Sequence, residues 1–167
     1  MTLEENVKIG YALGWSFTPL VGKRPVLPGW NTRPRASLEE VLDWIDRGLN
    51  IGLRTGAASG VFVVDVDKGA GALPFELPPT VTVRTPGGGW HFYFKQPPGM
   101  TVPNSASAVA PHVDVKGDDG QVVYPGSIHP DTQTEYTWLD GHGPEETAVR
   151  ETLRKLAVAS CGKEATP

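Results

Sequence analysis

The sequence predicts an α+β domain, and three observations predict it. Two amphipathic segments in the first third carry helix-capping residues, a series of short β-branched and aromatic runs follows them, and glycine and proline fall mostly between those runs. With 20 Gly and 16 Pro in 167 residues, the chain has the punctuation of many short strands rather than a few long elements.

The elements follow in order. Residues 3–13 set Leu3, Val7, Ala12 and Leu13 among Glu and Lys, with Thr2 placed to cap, and predict a helix. Residues 14–20 predict a short strand, since Trp15, Phe17 and Pro19 fall at period two. Residues 23–35 show no period and predict an exposed loop. Ser37 opens a second helix: Glu40 stands where a capping box needs it, Leu38, Val41, Leu42 and Ile45 form the apolar stripe, and Gly48 ends it.

Residues 50–54 predict a strand, and the glycine-bearing stretch 55–60 predicts a hairpin with the apolar run that follows. Residues 80–84 and 90–94, separated by Pro86-Gly87-Gly88-Gly89, predict a second hairpin. It puts Trp90, Phe92 and Phe94 on one face and His91 and Tyr93 on the other. Residues 95–110 read as irregular. Residues 112–116 form a strand that Gly117-Asp118-Asp119-Gly120 turns back into residues 121–124, residues 135–138 form an edge strand, and residues 143–159 form a closing helix with Val149, Leu153 and Leu156 at helical spacing. No repeat or linker interrupts the chain. Residues 1–160 read as one domain and 161–167 as a flexible tail, of a domain cut from a larger protein.

Bulk properties exclude several classes. Hydrophobic content of 39% with 20% charged residues is that of a soluble globular protein, and no segment has the apolar length of a membrane span. The single Cys161 excludes an internal disulfide framework and a cysteine-rich zinc site, and the compartment expected is the cytoplasm. A net charge of −4 does not advertise nucleic-acid binding, since a general duplex binder is usually basic, and any contact with a polynucleotide must come from a local patch.

The chemistry is organised around residues 60–67, Gly-Val-Phe-Val-Val-Asp-Val-Asp. Such a run is a buried strand, so Asp65 and Asp67 share one face and Val66 takes the other. Their Cβ atoms then lie roughly 6.5–7 Å apart, a span that closes around hard divalent cations held about 3.5–4 Å from one another. A turn or cap role for the two carboxylates is the alternative. Two further strands repeat the design, with apolar residues on one face and His91, or Asp114 and Lys116, on the other. Three Asp side chains are a recipe for Mg²⁺ or Mn²⁺, and an imidazole after a glycine-rich turn suits a phosphate. His112, His129 and His142 read as loop or strand-edge residues. Gly117 to Gly120 lacks the ligand spacing of a calcium loop. Lys23, Arg24, Arg33 and Arg35 are candidate template contacts, against the alternative of a solvated basic loop. Trp15, Trp30 and Trp44 read as packing residues, with base stacking as the alternative for Trp30.

In combination these blocks resemble a known family. Gly14-Trp15, Pro19, Lys23-Arg24-Pro25 and Trp30 are followed by Asn50-Ile51-Gly52-Leu53-Arg54-Thr55-Gly56 and Val63-Val64-Asp65-Val66-Asp67. Then come Arg84-Thr85-Pro86-Gly87-Gly88-Gly89-Trp90-His91-Phe92-Tyr93-Phe94, Val113-Asp114-Val115-Lys116-Gly117 and Tyr124-Pro125-Gly126-Ser127. The order and content resemble the bifunctional primase–polymerase catalytic domain of the archaeo-eukaryotic primase superfamily, found in plasmid, phage and mobile-element replication proteins.

The resemblance implies a two-layer fold with an RRM-like catalytic sheet and flanking helices, with residues 1–160 as the catalytic domain. It implies that Asp65, Asp67 and Asp114 are a metal triad for two Mg²⁺ or Mn²⁺ ions, without zinc, and that His91 binds the phosphates of the incoming nucleotide. Lys116, and more remotely Arg84, Arg54 and Ser127, are implied to face the nucleotide. The partners implied are a single-stranded DNA template with its primer, nucleoside triphosphates, and a helicase in cis or in trans. Two other functions use the same residues: a metal-dependent phosphodiesterase or nuclease, and a non-catalytic RRM-like single-strand binder. The binder's usual aromatic sheet face is replaced here by Asp, His and Lys.

Overall fold

Residues 1–71, 76–97 and 99–151 are described by the structure, a computed structural model. Helix α1 (Leu3–Ala12) starts on a complete capping box: the Thr2 hydroxyl accepts from Glu5 N, and the Glu5 carboxylate accepts from Thr2 N. At α2 (Leu38–Asp46) the Ser37 hydroxyl accepts from Glu40 N at 3.2 Å. Half of the expected box is missing there, because Glu40 Oε2 is buried without a partner among the described residues.

The strands are β1 (Phe17–Val21), β2 (Arg24–Pro25), β3 (Asn50–Arg54), β4 (Val61–Val66), β5 (Thr82–Arg84), β6 (Trp90–Lys95), β7 (Ser105–Ala110), β8 (Val113–Lys116), β9 (Gln121–Val123), β10 (Thr137–Trp138) and β11 (Arg150–Glu151). They form two sheets, ordered β2-β1-β3-β9 and β10-β5-β6-β4-β8-β7, with β11 added parallel to β6 and every other pair of named strands antiparallel. Helix α2 packs on β1 and β3, and α1 packs on α2. Two helices with two largely antiparallel sheets make the α+β fold of primase type that the sequence predicts.

The β5–β6 hairpin forms as expected, closed by Thr85 N to Gly89 O at 3.0 Å. The predicted β3–β4 hairpin does not form. Strand β4 is apolar on both faces and lies between β6 and β8, which take both of its hydrogen-bonding edges, while β3 joins the other sheet. Residues 55–60 therefore cross between sheets, and so do residues 117–120, which lead from β8 to β9. The two crossovers are tied together: Thr55 N donates to Gly120 O at 2.9 Å, Thr55 Oγ1 to Gly117 O at 2.6 Å, and Ala57 N to Asp118 Oδ1 at 2.8 Å. Gly56 is needed here, with φ at +80° and a built Cβ only 2.4 Å from Asp118 Cα.

Each face of the larger sheet covers its own core. Phe62, Val64, Val66, Phe94, Val113 and Val115 pack together on one side with Val102. Val61, Val63, Val81, Val83 and Tyr93 face the other way and join Trp15, Phe17, Ile51, Leu53 and Tyr124 of the smaller sheet and its surroundings. Phe62, Val63 and Val64 are fully buried, so each contributes about 1.5–3 kcal/mol of transfer free energy.

Three further expectations are corrected. Residues 24–25 form the two-residue strand β2, which pairs with the end of β1. Residues 105–110 form β7, whose register shifts between Ala106 and Ala110 where Ser107 has φ 54°. That bulge left no alternating pattern to read. Residues 143–151 are turn and strand rather than helix: β5 is too short to cover β6, and β11 pairs with the free edge at Phe94 and Lys95 while Arg150 N donates to Thr80 Oγ1 at 3.0 Å. The rest of the predicted helix, 152–159, and the predicted tail lie outside the described residues. Among those residues no helix is long and apolar enough to cross a membrane.

Candidate active site

Along β4 one face changes chemistry. Val61 and Val63 point into the core, Asp65 follows them two residues on, and Asp67 emerges exposed just past the strand end. Because β4 is the central strand, both neighbours present side chains beside Asp65: His91 of β6 stands opposite it on one side and Asp114 of β8 on the other. His91 Nε2 is 3.4 Å from Asp65 Oδ1, and both side chains are largely buried. Burial is the largest single influence on Asp65 and works to raise its pKa. The His91 hydrogen bond and charge, with Lys116 and Lys23, outweigh it and hold the carboxyl below the usual carboxylate range.

Asp65, Asp67, His91, Lys116 and Lys23 line one cavity of about 550 Å³. Lys68, His112, His129 and Tyr136 complete its charged and aromatic wall, so cationic and imidazole groups outnumber the carboxylates there although the chain is acidic overall. The β5–β6 turn forms the rim through Thr85, Gly87 and Gly89. Gly89 has to be glycine, since a Cβ would meet Val66 O at 2.3 Å. Burial first, then the charges of Asp65 and Asp131, push the Tyr136 phenol up to about 12. A larger cavity of about 640 Å³ lies elsewhere, beside Trp15, Lys95 and Glu146, and does not include the Asp–His set.

The donor chemistry suits a hard divalent cation, while the arrangement meets it in part. Asp65 and Asp67 reach the cavity together. Asp114 does not line it, and its Oδ1 accepts from Ser107 N at 3.1 Å across the β7 bulge. Among the described residues no three His, Cys, Asp or Glu side chains stand grouped to hold a metal ion.

Several expected site residues lie elsewhere. Arg84 shares the opposite face of the sheet with Trp90, its guanidinium 5.6 Å from that ring. Arg54 is buried and donates to Arg33 O at 2.8 Å and Asn31 O at 3.1 Å, so it fastens the 31–33 loop. Ser127 is fully buried, its hydroxyl bridging Ile51 N and Ile51 O. Arg35 donates to Tyr11 O and Trp15 O and lies 3.7 Å over the Tyr11 ring. Arg24 and Arg33 have exposed side chains.

Sequence reasoning missed His129, His112 and Tyr136. Each sits in or beside a loop; hydrogen bonds tie Tyr124, Ser127 and Ile128 to β3, and Tyr136 stacks on His91 with His129 on its other side. The local cue for His129 is the polar run Asp131-Thr132, whose backbone amides its ring accepts from.

The sequence matches the family described as "Bifunctional DNA primase/polymerase, N-terminal" (Prim-Pol) over residues 9–156. The chain belongs to this family. The Prim-Pol match takes in all the named strands and α2, and therefore every residue lining the Asp–His cavity. Among curated proteins, comparison finds no match. At the family level the domain is of the DNA primase/polymerase type, whose substrates are DNA and nucleotides.

Proposed function

We propose that this Prim-Pol domain is a template-dependent nucleotidyltransferase that adds nucleoside triphosphates to a 3′-hydroxyl during replication of a plasmid, phage or mobile element. The observation that carries this reading is the sharing of one cavity by Asp65 and Asp67 with His91, Lys116 and Lys23. Carboxylates alone would repel a triphosphate; carboxylates ringed by cationic groups match a divalent metal with a polyphosphate on it.

Asp65 and Asp67, with Asp114 opposite Asp65 in the β4–β8 register, are the residues that would hold Mg²⁺ or Mn²⁺. Bound there, such ions would supply Lewis acidity toward the attacking hydroxyl and positive charge toward the leaving pyrophosphate. The 3′-hydroxyl loses its proton to solvent as its oxygen attacks the α-phosphorus, the bond from that phosphorus to the bridging oxygen breaks, and pyrophosphate departs with the electron pair. Against the upward push of burial, His91, Lys116 and Lys23 hold the Asp65 carboxyl below the usual carboxylate range. Lys116 supplies positive charge and His91 an imidazole contact to the phosphates, and charge stabilisation with positioning is most of what phosphoryl transfer asks of a protein. Lys23 moves from a template role to the nucleotide, since its side chain faces the carboxylates. Arg24 and Arg33 are left as template contacts. Strand separation falls to a helicase in cis or in trans, and the protein works in the cytoplasm.

The test is nucleotide incorporation on a primed single strand with Mg²⁺ or Mn²⁺, scored by product length and pyrophosphate release. Primer extension that disappears in Asp65→Ala and Asp67→Ala is expected. Strand cleavage without nucleotide uptake would assign the site to a phosphodiesterase instead.

A further inference from the structure

His129 sits on the cavity wall with its ring fixed in one orientation. Its backbone closes the 129–134 loop, with His129 N donating to Thr134 O and Gln133 N to His129 O, both at 2.9 Å. Its Nδ1 accepts from Asp131 N at 3.1 Å and Thr132 N at 3.4 Å. A nitrogen that accepts two amide hydrogens carries none of its own, so the neutral ring bears its proton on Nε2. The ring also stacks on Tyr136 (6.0 Å, 22°), which stacks in turn on His91 (6.1 Å, 28°). His129 is 8% exposed, and it lines the cavity that holds Asp65, Lys23 and Lys116.

An imidazole locked as an Nε2–H donor has no acceptor for that proton among the described residues, and it faces a space whose cationic surplus selects anions. We propose that His129 is a second imidazole contact for the triphosphate, its Nε2–H donating to a non-bridging phosphate oxygen on the far side of the Tyr136 ring from His91. The assignment rests on the nucleotidyltransferase reading. It differs from a turn-forming role in a way that substitutions can separate. In His129→Asn the side-chain oxygen takes the place of Nδ1 and keeps the two amide bonds, but the Nε2 donor is gone. In His129→Gln a donor remains near the Nε2 position and the turn acceptor is lost.

The experiment titrates inorganic tripolyphosphate, a deoxynucleoside triphosphate and the matching nucleoside into wild type, H129N and H129Q with Mg²⁺, with thermal unfolding of each. H129N is expected to weaken tripolyphosphate and nucleotide binding roughly tenfold to a hundredfold, the range for a hydrogen bond to a charged group, with nucleoside binding and Tm unchanged. H129Q should keep affinity to within about threefold while lowering Tm, since it retains the donor and loses the cap. Wild-type ¹⁵N imidazole shifts give a readout free of mutation: His129 should show the Nε2–H tautomer and shift on adding tripolyphosphate. A ring that is Nδ1–H, or unmoved by saturating tripolyphosphate, overturns the assignment, as does H129N with wild-type affinity. Wild-type protein that binds neither tripolyphosphate nor nucleotide overturns the nucleotidyltransferase reading along with it.

Discussion

Asp65 and His91 face each other across the β4–β6 register, Oδ1 to Nε2 at 3.4 Å, in a wall where both are largely buried. A carboxylate so placed is tied to the protein before any ligand arrives. Asp67, two residues on and exposed, is not.

That contrast separates the two carboxylates in stability though not in activity. Asp65→Ala and Asp67→Ala should each abolish primer extension. Without metal, Asp67→Ala should stay within about 0.5 kcal/mol of wild type, as exposed substitutions do. Asp65→Ala should cost about 1–3 kcal/mol, the range for stranding a buried polar partner. Urea denaturation of both proteins in EDTA checks the order, and equal stabilities would show that the Asp65–His91 pair contributes nothing.

Acid stability follows from the same pair. Asp65 has a folded pKa below its unfolded value of about 3.9. Between those two values the unfolded chain binds the extra proton, so stability rises with pH through that window. The contribution is fully present above about pH 5 and is lost as pH falls through the folded pKa. Denaturation midpoints from pH 7 down to pH 3 should therefore fall less steeply in Asp65→Asn than in wild type. Parallel acid slopes would contradict the pairing.

His91→Ala should raise the apparent KM for nucleotide roughly tenfold to a hundredfold while shifting template affinity much less, because a phosphate contact belongs to the nucleotide. Fluorescence titration with nucleotide and with labelled single strand separates the two. Equal nucleotide affinity in both proteins would remove His91 from the site.

The basic residues of the early loop divide by what their side chains already hold. Arg24 and Arg33 are exposed, whereas Arg35 and Arg54 are engaged with backbone carbonyls. Removing Arg24 and Arg33 together should lower the slope of log affinity for single strands against log salt by about 1.4, near 0.7 per phosphate contact. Arg35→Ala and Arg54→Ala should lower Tm and leave that slope alone. A slope unchanged by the double substitution would place the template on another surface.

The sequence by itself determined the elements whose signal is local. Thr2 and Ser37 cap helices because their hydroxyls need only the amide three residues on, and the Trp90–Phe94 run alternates because its neighbours in sequence suffice. It also determined that Asp65 and Asp67 share a face, which follows from strand periodicity alone. Tertiary structure decided everything that depends on which strands meet. Two glycine-bearing turns that read as hairpins are crossovers, because β4 needs β6 and β8 on its edges and cover on both faces. Arg84, Arg54 and Ser127 left the site because sheet face and burial are set by pairing partners far along the chain, and His129 entered it for the same reason. Periodicity gives a side chain its direction relative to its own strand; only packing says what lies in that direction.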